Sequence, residues 1–194
     1  MKKKIIKTVG ILGGTFDPPH HGHSRISNLA LNNCKLDQVW WVVSLSNPLK
    51  LSKKKTCFKK RFENAKKFNK DPRILVSDIE SKIDSPFSVD MINHLILKNP
   101  KKKFIFLVGV DNLKNMHKWK DWKKIFYIIP IVIFDRPFYS LSVITSKCIG
   151  FFKKKRKNKL FAKKIKNFKP PCWLFFYGWS NIISSTKIRT KKQF

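Results

Sequence analysis

Residues 10–23 read Gly10-Ile-Leu-Gly-Gly-Thr-Phe-Asp-Pro-Pro-His-His-Gly-His23, and the type of fold is legible in them. The apolar run Ile5–Leu12 predicts a buried strand, and His23–Asn32, with Ile26, Leu29 and Ala30 at helical spacing, predicts a helix. Gly13 and Gly14 fall where the backbone would turn tightly between the two. A strand that breaks on glycines into a helix is the opening unit of an α/β sheet. In such sheets ligands lie beyond the carboxyl ends of the strands, so this loop is the first place to look for function.

The remaining chain repeats the alternation. Val39–Ser44, Ile74–Ser77, Phe104–Val108, Ile129–Phe134 and Trp173–Tyr177 are short runs apolar on both faces, as parallel strands covered on both sides require. Cys57–Phe68 and Val89–Leu97 carry apolar residues at helical spacing, the second behind Ser88 as expected N-cap. The expected fold class is α/β, a mostly parallel sheet with helices on both faces, with residues 1–194 forming one domain. Residues 140–169 are less regular, and their KKKRKNK run predicts a solvated loop or helix end.

Composition narrows the function classes. The 194 residues are 42% hydrophobic, enough for a core and too much for a disordered basic tail. The formal net charge of +32, from 43 Lys and Arg against 11 Asp and Glu, invites a nucleic-acid or membrane-surface reading. Yet 37 of these bases are Lys and 6 are Arg, whereas specific base and phosphate recognition leans on the Arg fork. The lysine runs are dispersed along the chain and read as solvated surface, so neither a specific nucleic acid nor a membrane is an expected partner. Cys34, Cys57, Cys148 and Cys172 form no CxxC pair and no zinc spacing, which predicts free thiols in a reducing compartment and no protein-held metal. No run reaches the roughly 18 apolar residues of a membrane span, and the basic start lacks a cleavage site. The expectation is a soluble, cytoplasmic protein.

The first loop carries the chemistry. Glycine lets a phosphate come close, the helix N-terminus offers backbone N–H groups and partial positive charge, and the imidazoles of His20 and His23 add directed donors. From this composition H-x-G-H is expected by chance about 0.005 times. The alternative for the two histidines is a helix cap alone. Further along, Lys50 follows a strand and an Asn-Pro turn, a place for a cation that meets phosphate or for an ordinary surface Lys. Gly109 and Asp111 follow another strand, where a carboxylate reaches a ribose hydroxyl or the residues form a plain turn. Of Trp119 and Trp122 one is expected to be core. Ser184, Ser185 and Thr186 open a C-terminal helix, with Arg189 one turn on as a fork for phosphate oxygens.

GGTFDPPHHGH resembles the signature of the HxGH nucleotidyltransferases, whose fold is Rossmann-like and doubly wound and whose reaction releases pyrophosphate. In order, Ser46-Asn-Pro-Leu-Lys50, Asp78-Ile-Glu80, Phe87-Ser-Val-Asp90, Gly109-Val-Asp-Asn112, His117-Lys-Trp119, Asp135-Arg-Pro137 and Ile183-Ser-Ser-Thr-Lys-Ile-Arg189 resemble the nicotinate-nucleotide adenylyltransferase family. The resemblance implies adenylyl transfer from ATP to nicotinate mononucleotide in NAD biosynthesis, with His20 and His23 catalytic. It implies an ATP site at Gly13, Gly14, Thr15, Phe16, His20, His23, Lys50, Gly109, Asp111, Ser185, Thr186 and Arg189. The mononucleotide would meet Asp17, Lys50, Ser88 and Trp119, with Trp119 stacked on the pyridine ring. Ser88 stands where relatives usually have Thr, and Leu49 where many have His. Mg²⁺ is expected on the ATP phosphates, with no carboxylate cage from the chain. A homo-oligomer stays open, as do nicotinamide mononucleotide or pantetheine phosphate as acceptor and, from another class, a basic nucleic-acid-binding protein.

Overall fold

A computed structural model of the chain describes residues 7–46, 56–83, 85–135 and 146–177. Six strands form one sheet: β1 (Lys7–Gly14), β2 (Gln38–Val43), β3 (Ile74–Ser77), β4 (Lys102–Gly109), β5 (Ile131–Phe134) and β6 (Trp173–Phe176). Their order is β3-β2-β1-β4-β5-β6, and every neighbouring pair is parallel. The chain winds outward from β1 in one direction to β3 and then, from β4, in the other. The switch point therefore lies between β1 and β4, where a doubly wound sheet opens a crevice.

Side chains alternate across the sheet with period two, and each face builds its own core. Val9, Ile11, Phe104, Phe106, Ile131 and Ile133 pack on one face against α3 (Ser88–Lys98), α4 (Val110–Met116), α5 (Trp122–Ile128) and α6 (Lys147–Phe151). Leu12, Trp41, Ile105, Leu107, Val132 and Phe134 pack on the other against α1 (His21–Asn33), α2 (Phe58–Phe68) and the 3-10 segment Lys159–Asn167. Each fully buried aliphatic side chain contributes about 1.5–3 kcal/mol relative to exposure. Gly10 sits in the second core, where an added Cβ would lie 2.8 Å from Cδ1 of both Leu107 and Leu36. This position needs glycine for space.

Before it enters β6 the chain touches what becomes that strand's outer edge. Arg156 bridges Trp173 in parallel fashion, and the Lys157 N–H donates to the Trp173 carbonyl at 2.8 Å. The Arg156 guanidinium lies 5.5 Å from the Trp173 ring centroid and donates to the Tyr177 hydroxyl at 2.7 Å. The KKKRKNK run, expected to be solvated, is exposed and in part serves as this edge cover.

Candidate active site

β1 does not end where its glycines suggest. Gly13 and Gly14 were expected to form the turn, but both are in the strand, paired with Val42 and Val43 of β2. The Ser44 N–H donates to the Gly14 carbonyl at 2.8 Å, extending the pairing by one more bond. The reversal falls at Phe16, whose φ of 47° is in the left-handed region. Its ring is fully buried, 4.5 Å from the His23 ring and 5.1 Å from that of Trp41. That packing holds an unfavourable backbone conformation in place. The two glycines have other uses. A Cβ on Gly14 would come within 3.3 Å of the Phe16 ring, whereas one on Gly13 would meet nothing within 4 Å among the described residues.

Past Phe16 the chain enters α1 through its histidines. His20 is the N-cap, and its Nδ1 accepts the Gly22 N–H at 3.1 Å. His23, three residues on, accepts the His20 N–H on its own Nδ1 at 3.2 Å. Backbone N–H groups can only donate, so both Nδ1 atoms are acceptors and each neutral ring carries its proton on Nε2. His20 is 3% and His23 9% exposed. The helix is anchored beneath them by Ser27, whose hydroxyl donates to the His23 carbonyl at 2.9 Å and accepts the Trp41 Nε1–H at 2.7 Å. Two imidazoles with fixed tautomers thus stand at a helix N-terminus on the mouth of β1. That is the arrangement for holding charge as it develops on phosphate oxygens.

Across the switch point, β4 ends at Gly109, and α4 begins at once with Asp111 in its first turn. The β1 and β4 mouths are neighbours because the strands pair from Lys7↔Lys102 to Leu12↔Leu107. Ser88 departs from expectation. It is the first residue of α3, Phe87 is the N-cap, and no side chain caps the helix. Ser85 holds this entrance instead: its hydroxyl donates to Asp90 Oδ2 at 2.7 Å, and Lys120 Nζ meets the same oxygen at 3.2 Å. Asp90 is accordingly held below its ordinary carboxylate range, first by Ser85. The Asp90–Lys120 pair ties the Ser88 segment to the Trp119 segment. Trp119 and Trp122 are both half-buried, Trp119 edge-on to Phe106 and Trp122 against Phe126, Phe151 and Phe152.

Lys50, Ser185, Thr186 and Arg189 lie outside the described residues. Among those described, no group of three His, Cys, Asp or Glu side chains is placed to hold a metal ion. No helix among them is long and apolar enough to cross a membrane.

Two buried charges went unforeseen. Arg61 of α2 and Glu80, in the 3-10 turn Ile79–Ser81 after β3, are each 3% exposed. Burial lowers the Arg61 pKa, opposed by the charges of Asp17, Cys57 and Glu80, in that order. Burial pushes the Glu80 carboxyl up to about 7, opposed by the Leu45 N–H and by Arg61. A signal for Arg61 is present in the sequence: it shares the helical stripe of Phe58, Phe62, Ala65 and Phe68, an apolar face where a base is out of place.

The comparisons place this doubly wound parallel sheet, with its histidine-capped helix at the switch-point strand, among the nucleotidyltransferases. The cytidylyltransferase-like family model matches residues 11–191. Curated relatives named nicotinate-nucleotide adenylyltransferase include one from Brucella suis, 35% identical over 182 residues, 94% of each chain. Another, from Agrobacterium fabrum, is 35% identical over 93% of this chain and 97% of its own. Among solved structures, the Plasmodium falciparum nicotinic acid mononucleotide adenylyltransferase complexed with NaAD shares the fold, with TM-score 0.71 and 20% identity over 95% of this chain and 83% of that one. The chain belongs to the cytidylyltransferase-like family and, within it, to the nicotinate-nucleotide adenylyltransferases.

Proposed function

We propose that the chain transfers the adenylyl group of ATP to nicotinate mononucleotide, giving nicotinate adenine dinucleotide (deamido-NAD) and pyrophosphate, as a step of NAD biosynthesis in the cytoplasm. The observation that carries this reading is the histidine pair, with both Nδ1 atoms engaged by backbone N–H groups at the N-terminus of α1. The family relationship supplies the substrate class.

The acceptor brings its own nucleophile. A phosphate oxygen of the mononucleotide, ionised at neutral pH, attacks the α-phosphorus of ATP; the new P–O bond forms as the α–β bridge breaks, and pyrophosphate leaves with the electron pair. No side-chain nucleophile or general base is needed, so catalysis consists of alignment and stabilisation of charge. His20 and His23 donate from Nε2 to the reacting phosphates, and Gly13 leaves space for the nucleotide to approach β1. Thr15, Phe16, Gly109 and Asp111 complete the described part of the ATP site, to which Lys50, Ser185, Thr186 and Arg189 add phosphate contacts. Trp119 stacks on the pyridine ring, while Asp17 and Ser88 contact the mononucleotide. ATP enters as its Mg²⁺ complex, with the ion held by phosphate oxygens and water. Residues 1–194 act as one transferase unit.

The test is dinucleotide and pyrophosphate formation by the purified chain with MgATP and nicotinate mononucleotide, run in competition with nicotinamide mononucleotide. Absence of product from both acceptors overturns the reading, and preference for the amide changes the substrate assignment.

A further inference from the structure

Arg61 is an expensive residue to bury, and the way its charge is used indicates why it is there. Its Nε donates to the Thr56 carbonyl at 2.9 Å. One terminal nitrogen donates to the carbonyls of both Thr15 and Ser44 at 2.8 Å, and the other to the Leu45 carbonyl at 3.1 Å. Thr15 belongs to the loop after β1 that leads to His20 and His23. Ser44 and Leu45 belong to the loop after β2 that leads toward Lys50. Thr56 stands at the entrance of α2. One planar group therefore joins three loop segments through backbone oxygens, and no contact depends on what side chains those loops carry. Glu80 meets the same loop from β3, its Oε2 accepting the Leu45 N–H at 2.9 Å. Leu45 is thus held on both backbone polar groups, the carbonyl by Arg61 and the N–H by Glu80.

We infer that Arg61, assisted by Glu80, is a positioning residue for adenylyl transfer: it fixes the distance between the histidine-bearing loop after β1 and the loop that opens at Ser44 and Leu45 after β2. The chemistry argues for this over simple cohesion. Lysine would offer a single point of attachment, and an apolar side chain would pack in the same stripe of α2 without the desolvation of a charge. Only the guanidinium fork spans carbonyls on two loops within one plane. Reaction between two phosphates needs this spacing, because a misplacement of about 1 Å costs about 10²-fold in rate.

The inference rests on the proposed reaction, and the wild-type assay keeps the two apart: an inactive wild type removes the reaction, whereas an active one leaves the variants to decide. Arg61→Lys is expected to bind MgATP within about threefold of wild type by calorimetry while kcat falls by about 10²-fold. Glu80→Ala is expected to lower kcat by about tenfold, and Glu80→Gln, which keeps an acceptor for the Leu45 N–H, to recover most of that loss. A role in stability alone predicts a lower melting temperature with wild-type kcat below it, and that result overturns the inference. Should Arg61→Lys fail to fold, the Glu80 pair decides: equal kcat for Glu80→Ala and Glu80→Gln overturns it, and the split supports it.

Discussion

His20 and His23 hold each other in place. The His20 N–H donates to His23 Nδ1 at 3.2 Å, the His23 N–H donates to the His20 carbonyl at 2.9 Å, and the ring centroids are 3.8 Å apart. The helix-cap reading of the motif is met at Nδ1, and it is compatible with the proposed catalytic role, which uses the opposite nitrogen of the same rings. Nδ1 serves the fold, and Nε2 is the atom that the proposed reaction assigns to the phosphates.

This division makes the two roles separable. His20→Asn supplies another acceptor at a position that favours Asn, so stability should stay within about 0.5 kcal/mol while turnover falls by at least about 10²-fold. His20→Ala should lose the same activity and about 1 kcal/mol besides. Urea unfolding beside a pyrophosphate-release assay checks both, and an Asn variant with near wild-type turnover would remove His20 from catalysis.

Gly10 and Gly13, three residues apart on β1, should respond oppositely to alanine. At Gly10 the new methyl meets Leu107 and Leu36 at 2.8 Å, so about 1–3 kcal/mol of stability should be lost with little change in substrate affinity at temperatures where the protein is folded. At Gly13 the methyl meets no atom of the described residues within 4 Å, so stability should hold and a bound nucleotide would feel it. A KM for ATP unchanged by Gly13→Ala would show that the nucleotide does not approach there.

Trp119 tests the acceptor side. Loss of a stacked ring costs about 1–3 kcal/mol by comparison with base–aromatic stacking. Trp119→Ala should therefore raise KM for the mononucleotide tenfold or more and leave KM for ATP within a few-fold. Trp119→Phe should recover much of the loss. Equal changes in both KM values would assign the residue to packing against Phe106 alone.

Glu80 predicts a pH dependence of stability. Its folded carboxyl is raised by burial from the ordinary 4.5 to about 7. A raised acid stabilises the fold below its unfolded pKa and loses that contribution as pH climbs through the folded value. Wild type should thus lose on the order of 3 kcal/mol from this group between pH 4.5 and pH 7. Glu80→Gln should flatten that slope and be the more stable protein at pH 8. Parallel stability profiles for the two proteins between pH 5 and pH 8 would contradict this.

Legibility in the sequence followed the range of the interaction. All six strands were readable because each is a short apolar run, a local property, even β3, where only Ile74 is buried; only their ends moved by one to two residues. The first loop was readable as a site because strand, glycine, histidine and helix follow in order. What was not readable depended on partners distant in sequence. Gly13 and Gly14 look like a turn until Val42 and Val43 pair with them. Ser88 looks like a cap until Ser85 and Lys120 converge on Asp90 and hold the helix entrance without it. Arg61 looks like one more base until Thr15, Ser44 and Leu45 present their carbonyls to it from up to 46 residues away.

The strand-like stretch at Arg156 and Lys157 gives part of the chain's excess charge a use that no ligand explains. An open sheet edge invites a strand from another molecule, and β6 would otherwise present its backbone groups for such pairing. Here Arg156 and Lys157 meet that edge at Trp173, its first residue, and no acidic residue occurs in the sequence after Asp135. Two copies meeting edge to edge there would bring lysine against lysine. Replacing the basic run by neutral polar residues is expected to raise self-association, read by light scattering, while leaving the crevice between β1 and β4 as it is.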